Sequence, residues 1–307
     1  MFDGILPIYK ERGMTSHDVV FKARKILKMK KIGHSGTLDP EVDGVLLLLL
    51  GGATKVSDYA MDLGKSYRAE VCLGIKTTTE DLTGEILEER TVEGIDISEI
   101  KGILKTMVGE IEQTPPIYSA VKVNGRKLYE YARRGQFDVE IPSRKVNIYN
   151  IEFIDNSEYY KDGKFYFTID INCGKGTYVR TIATSIGEKL NIPSTMSKLT
   201  RTSSGKITID HCLKLADVEK CLEENTLENK ILKKEYALEE YQFVEIPLFR
   251  AKQVMNGLRF RKNQFPDYDF SNGIVFTYNN EAIAIYYLKD KYDELLSVKT
   301  TFPKILE

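Results

Sequence analysis

The sequence predicts an α+β fold: a mixed, largely antiparallel central sheet flanked by helices, followed by a small β-rich carboxy-terminal module. Three observations carry this. Strand-like and helix-like segments come in mixed order with no repeating strand-helix-strand unit, which argues against a parallel, doubly wound sheet. Several segments alternate apolar and polar residues, as "FYFTIDI" (165–171) does, the pattern of a strand with one covered face. After about residue 210 the chain becomes polar and helical, then turns to short strand-like pieces. With 307 residues, 42% hydrophobic and 29% charged, it can build one sizeable domain and a smaller one.

Taken in order, Ser16 caps a helix whose inward positions are Val19, Val20, Ala23, Ile26 and Leu27 and which ends before Gly33. Val45–Leu50 is an apolar run bounded by Gly44 and Gly51-Gly52, too short for a buried helix and read as a central strand. "YRAEVCLGI" puts Tyr67, Ala69, Val71 and Leu73 on one face, and Thr83-Gly84 turns the chain into "EILEE" as a hairpin. A helix over Ser98–Val108 turns Ile100, Ile103, Leu104 and Met107 inward, Pro115-Pro116 interrupts regular structure, and Asn124-Gly125 marks a tight turn. Beyond the strand at 165–171, "NCGKG" turns into a helix near Thr177 with Val179, Ile182, Ala183, Ile186 and Leu190 inward. Residues 211–240 read as a helical linker, and 241–307 as the β-rich module with strands at "NGIVFTY" and "EAIAIYYL".

A net charge of −1 excludes a broad positive field, so contact with an acidic partner would depend on local patches. Two runs qualify. "KARKILKMKK" (22–31) holds six bases and no acid, and "NGRKLYEYARRG" (124–135) carries Arg126, Lys127, Arg133 and Arg134 with Tyr129 and Tyr131 between them. Each fits a surface that follows a phosphate backbone, and each also fits a solvated helix face. No apolar run approaches the roughly 18 to 20 residues of a membrane span, and "MFDGILPIYKERG" lacks the sections of a signal peptide, so the expectation is a cytoplasmic protein with no membrane partner. Cys72, Cys173, Cys212 and Cys221 form no close pair and only His17, His34 and His211 accompany them; buried reduced thiols and no metal site are expected.

Standard catalytic motifs fail in turn. "CGKGTY" lacks the spacing of a phosphate-binding loop, "GHSGT" misses the nucleophile-elbow pattern, and no paired glycines open a helix in the dinucleotide-binding manner. What remains is Asp39 in "GHSGTLDPEVDGVL", which taken alone is a turn residue before Pro40. That stretch with "GGATK", followed by "KSYRAEVCLGIKTTTEDLTGEI", "PPIYSAVKVNGRKLYEYARRG" and "CGKGTYVRTIA", resembles the bacterial tRNA pseudouridine-55 synthase family, motif by motif and in order, over nearly all of residues 4–205.

The resemblance implies a catalytic domain over 1–210 and a PUA-like carboxy-terminal module. Asp39 would be the catalytic carboxylate, Tyr67 the ring that stacks on the target base and Arg180 the cation paired with Asp39. His34, Lys55, Asp81 and Tyr178 would contact substrate, and an insertion at about 122–145 would grip the tRNA T-arm through Arg126, Lys127, Arg133 and Arg134. It further implies a monomer acting on the T-arm stem-loop with no cofactor and no obligatory protein partner. One feature supports the pairing independently: Arg180 falls in the first turn of its helix, where the dipole disfavours a cation unless an anion is near. Isomerising uridine to pseudouridine adds and removes nothing, so a single buried carboxylate suffices. Attack on C1′, attack on C6 and elimination to a glycal all stay open. Two other readings also stay open, a guide-RNA-dependent synthase of the box H/ACA type and an RNA-binding, tRNA-folding chaperone without catalysis.

Overall fold

In the structure, a computed structural model that describes residues 2–290 and 292–302, the chain opens with β1 (Gly4–Lys10), α1 (Ser16–Ile26), the short β2 (Ile32–His34) and β3 (Asp43–Leu50). β3 accounts for six apolar residues in a row. Val45, Leu47 and Leu49 enter one core cluster and Leu46, Leu48 and Leu50 another, so the strand is covered on both faces. The cap of α1 is Thr15 and not Ser16: the Thr15 hydroxyl accepts from the Asp18 amide at 3.0 Å while Asp18 accepts from the Thr15 amide at 2.8 Å. Asp18 lies three residues after Thr15, which completes this reciprocal pair and leaves Ser16 inside the helix, buried.

A short 3-10 turn (Gly51–Val56) and α2 (Ser57–Asp62) lead to β4 (Lys65–Leu73). The chain continues through β5 (Ile75–Thr77), β6 (Ile86–Glu89), α3 (Ile97–Thr106), β7 (Gly109–Gln113), β8 (Lys122–Val123), β9 (Arg126–Lys127) and α4 (Leu128–Ala132). It then forms β10 (Arg144–Phe153), β11 (Tyr159–Lys161), β12 (Lys164–Cys173), α5 (Val179–Leu190), β13 (Ser194–Ser204) and β14 (Ile207–Thr208). The main sheet has ten strands, ordered β1-β3-β13-β4-β12-β10-β7 with β2, β11 and β14 attached; among the described residues its one parallel strand pair is β3 with β13. "EILEE" pairs with β5 and not with the strand that bears Tyr67. β4 stops at Leu73, and both its edges are taken by distant strands, β12 and β13. Asn124 and Gly125, both at positive φ, form the expected two-residue turn of the β8-β9 hairpin.

Residues 211–240 are one helix, α6 (Leu215–Glu223), and two 3-10 turns (Leu227–Lys230 and Lys234–Leu238). Asn225, in the left-handed conformation, ends the helix. The segment closes the free edge of β1, since Ile5 and Leu232 exchange backbone hydrogen bonds of 2.7 and 2.8 Å. The last elements are β15 (Gln242–Glu245), α7 (Leu248–Met255), β16 (Phe260–Arg261), β17 (Ile274–Tyr278), β18 (Glu281–Tyr287) and β19 (Leu295–Thr301). They form a five-stranded sheet around Phe260, Phe265, Phe276 and Tyr286. Val275, Ala282, Ile285 and Phe302 join Val45, Leu47 and Tyr59 in one cluster, so this sheet packs on the main one; residues 303–307 of the expected module lie outside the described residues. All four thiols are free, but only Cys72 and Cys173 are buried; Cys212 and Cys221 lie in the 211–240 surface layer and are partly open.

β4 begins on an unusual residue for a buried position. Lys65 is buried and donates to the Met61 and Leu63 carbonyls at 2.7 and 2.6 Å, at the end of α2. Burial, aided by the charge of Arg201, pulls its pKa down to about 8 from 10.5. The unfolded chain therefore holds this proton more tightly than the folded one, so the cost of burying the charge is present in full below about pH 8 and is relieved between there and 10.5. Urea unfolding across that range should show stability rising with pH by up to about 3 kcal/mol more in the parent than in Lys65→Met.

Candidate active site

Asp39 lies in the loop between β2 and β3, and the amino-terminal segment holds that loop. The Leu38 amide donates to Ser16 Oγ at 2.9 Å, Lys10 Nζ and the Gly13 amide donate to the Pro40 carbonyl at 3.2 and 2.9 Å, and the Val42 amide closes a turn on the Asp39 carbonyl at 3.1 Å. Glycine contributes at the next step. Gly44 has φ +110°, and a Cβ there would stand 2.2 Å from the Arg201 carbonyl, so only glycine lets β3 lie against β13 at this level.

Arg180 is the second residue of α5, whose start is fixed by Gln113: its side-chain amide donates to the Tyr178 carbonyl at 3.0 Å and accepts from the Tyr178 amide at 2.7 Å. The guanidinium is enclosed on every side. Nη1 donates to the Thr79 carbonyl at 2.8 Å and Nη2 to the Tyr118 carbonyl at 3.0 Å; Nη2 lies 3.1 Å from Asp39 Oδ2, and Nη1 3.7 Å from Asp81 Oδ2. The expectation of a buried carboxylate is corrected here. The Arg180 side chain is 6% exposed and that of Asp39 46%, so the cation is buried and the acid stands at the mouth. Two carbonyls and two carboxylates satisfy the guanidinium well enough to bury it, while Asp39 has half its surface open to an incoming group.

Asp81 is brought to Arg180 and turned away from solvent. Its Oδ1 accepts from Thr79 Oγ1 at 2.7 Å and from the Thr83 amide at 3.0 Å, which leaves Oδ2 toward the guanidinium. Tyr67, on β4, sits directly opposite Arg201 of β13 and Ile171 of β12 and packs against the core beneath the sheet. Burial raises its pKa; the charge of Arg201 opposes that and the charge of Asp39 adds to it. Asp39 and Arg180 therefore meet directly, and Tyr67 lies within electrostatic reach of Asp39.

His34 ends β2. Its Nδ1 is 3.2 Å from the Gly36 carbonyl, its ring meets His17 edge to face at 5.7 Å, and burial pushes its pKa down. Tyr178 stacks its ring under the Arg144 guanidinium at 5.1 Å. Lys55 is not at the site; it donates to the Thr301 carbonyl at 2.7 Å, tying the 3-10 turn after β3 to β19. In the 122–145 segment, Arg126 lies over Tyr131 at 5.2 Å and Lys127 and Arg133 over Tyr129 at 5.5 and 5.3 Å, while Arg134 is exposed. Sequence reading missed Lys10, Glu80 and Arg201. Glu80, its pKa raised by burial against the opposing Thr181 hydrogen bond and Arg180 charge, accepts from Thr181 Oγ1 at 2.7 Å. Nothing in the local sequence marks these three, because each acts through a partner at least thirty positions away. Among the described residues no group of three or more His, Cys, Asp or Glu is placed to hold a metal ion, and no helix is long and apolar enough to cross a membrane.

Residues 24–179, just over half the chain, match the family described as TruB family pseudouridylate synthase (N terminal domain). Over 98% of its length the chain is 48% identical to the whole of tRNA pseudouridine synthase B from Staphylococcus aureus strain MSSA476, and the same holds for the protein of strain N315. Two solved structures share the fold. One is a chain from a Cbf5-Nop10-Gar1 complex, at 24% identity, 98% of this chain, 85% of that chain and a TM-score of 0.70. The other comes from an H/ACA RNP bound to a substrate RNA containing 2'-deoxyuridine, at 22% identity, the same coverage and a TM-score of 0.71. A family match over half the sequence and close to half identity over nearly all of it lead to one conclusion: the chain belongs to the TruB family of pseudouridylate synthases.

Proposed function

We propose that this chain is a tRNA pseudouridine synthase that flips uridine 55 out of the T-loop and isomerises it with Asp39. The observation that supports this most is the half-open carboxylate of Asp39 held 3.1 Å from a buried guanidinium, beside Tyr67. The reaction breaks the N1–C1′ bond and forms a C5–C1′ bond, C5 losing a proton and N1 gaining one. No atom or electron enters, so the protein has to supply position and charge alone. Extruding the base costs roughly a few kcal/mol. Stacking on the Tyr67 ring returns about 1 to 3 kcal/mol of that. Arg180 fixes the direction of the Asp39 oxygen whether attack falls on C1′ or C6 or elimination comes first.

We assign residues 1–210 to catalysis, 211–240 to the connecting layer and 241–307 to a small RNA-binding-like module. Arg126, Lys127, Arg133 and Arg134 close on T-arm phosphates, and His34 and Tyr178 meet the loop. Asp81 is reassigned from substrate contact to holding Arg180, and Lys55 to holding the carboxy-terminal sheet. The shared fold with chains of ribonucleoprotein complexes keeps a guide-dependent reading in play; the tRNA enzyme reading is favoured by the full-length relatives at 48% identity.

Incubating the purified chain alone with unmodified tRNA should yield pseudouridine at position 55; product only when guide RNA and partner proteins are added would contradict the proposal. Asp39→Asn should bind the same RNA and fail to convert it. A rate within about tenfold of the parent, only about 1.4 kcal/mol in the barrier, would remove Asp39 from the chemistry. Neutralising Arg126, Lys127, Arg133 and Arg134 together should weaken filter binding and flatten its salt dependence by roughly 0.7 to 0.9 log units per lost phosphate contact. An unchanged slope would make this segment an ordinary solvated surface.

A further inference from the structure

We propose that the exposed face of α1 is a second RNA-contact surface, which takes unpaired nucleotides of the same tRNA lying outside the T-arm stem-loop, with their phosphates on Lys22, Lys25 and Lys28 and a base on the Phe21 ring. This rests on the reading of the chain as a tRNA pseudouridine synthase.

α1 is covered on one side only. Val19, Val20, Ala23 and Leu27 enter a core cluster, while Phe21, Lys22, Lys25 and Lys28 are all exposed on the other side. Positions 21, 25 and 28 recur at helical spacing, so a ring and two cations share one stripe with Lys22 beside it. Phe21 is 57% exposed, and Lys25 Nζ stands 4.4 Å from the centre of its ring. The charges are unspent. Lys22 reaches only the Met14 sulfur at 3.1 Å, and among the described residues none of the three lysines is in an ion pair. Asp18, the one acid of the helix, is held by the Thr15 amide and hydroxyl at 2.8 and 2.7 Å. Cations alone would suit any anion, but a ring among them adds a surface on which a base can stack.

The helix starts beside the site and leads away from it. His17, exposed in its first turn, meets the ring of His34 edge to face at 5.7 Å, and one turn from the other end Arg24 Nη2 donates to the Ile32 carbonyl at 2.9 Å. At 1.5 Å per residue, Lys25 lies roughly 12 Å beyond His17 along the axis. The segment at 122–145, which grips the T-arm, reaches the site by a separate route, through the Tyr118 carbonyl on Arg180. RNA that continues past the loop at His34 therefore meets α1, on a surface continuous with the site. The mixture of ring and cations also fixes the kind of RNA. A paired stem keeps its bases stacked inside and offers phosphates alone, whereas an unpaired stretch offers a base face together with its phosphates.

The test compares filter binding of two RNAs, full-length unmodified tRNA and the isolated T-arm stem-loop, across a range of salt concentrations. Replacing Lys22, Lys25 and Lys28 together by Gln should weaken binding of the full-length tRNA by about tenfold or more and lower its salt slope by roughly 0.7 log units per lost contact to an unpaired strand. Binding and single-turnover conversion of the stem-loop should stay within about twofold of the parent, as for a change remote from the groups that hold it. Phe21→Ala, which removes the ring and keeps the charges, should weaken full-length tRNA binding by about fivefold or more and leave the stem-loop unaffected. Full-length tRNA binding unchanged in both variants makes this face an ordinary solvated one and overturns the proposal. Equal losses with the two RNAs overturn it as well, since α1 would then belong to the T-arm grip. A parent that converts neither RNA overturns the functional reading on which the proposal rests.

Discussion

The enclosure of Arg180 is the constraint on which the site depends. A guanidinium removed from water must have its donors met, and here they are met by four groups from three parts of the chain: the Thr79 carbonyl, the Tyr118 carbonyl, Asp39 and Asp81. Together they tie those three parts to the start of α5. Thr79 and Asp81 belong to the β5-β6 hairpin, Tyr118 to the entry of the 122–145 segment, and Asp39 to the loop before β3. The hairpin and the loop are placed as much by one buried cation as by their own sequences. A cation in the first turn of a helix also sits against the dipole, and the two carboxylates offset that.

Beneath this pair the interior is unusually basic. Lys10, Lys65 and Arg201 are all buried, and their charges act on one another. Among the described residues neither Lys65 nor Arg201 is ion-paired; both bond to backbone carbonyls, and Lys10 does the same at Glu11 and Pro40. A chain with net charge −1 thus keeps three cationic side chains inside its fold. Burying Lys10 and Lys65 costs stability, since burial lowers the pKa of each.

Much of this was legible in the sequence where the cause is local. The unbroken Val45–Leu50 run reads as a strand covered on both faces because nothing else hides six apolar residues between glycines. Asn124-Gly125 reads as a hairpin turn because both residues tolerate positive φ. The pairing of Asp39 with Arg180 was reachable from the dipole argument and the family resemblance together. What stayed hidden depends on partners far along the chain. Lys55 reaches a carbonyl 246 residues away, Arg201 one 156 residues away, and β4 gives both edges to distant strands, so "EILEE" pairs elsewhere. The exposure of Asp39 was hidden for the same reason, since it follows from how completely Arg180 is satisfied by Thr79 and Tyr118.

The central claim, that Arg180 works by aiming Asp39, is tested most directly by a double-mutant cycle in single-turnover pseudouridine formation on a T-arm stem-loop. Asp81 lies 3.7 Å from Arg180 and the two carbonyls remain, so the guanidinium stays accommodated in Asp39→Asn and the fold survives the comparison. The account predicts that Arg180→Met is severe in the parent and adds little to Asp39→Asn, the non-additivity of groups that act as one. Losses that multiply across the cycle would mean that the two residues act separately, and the account of the site would be wrong.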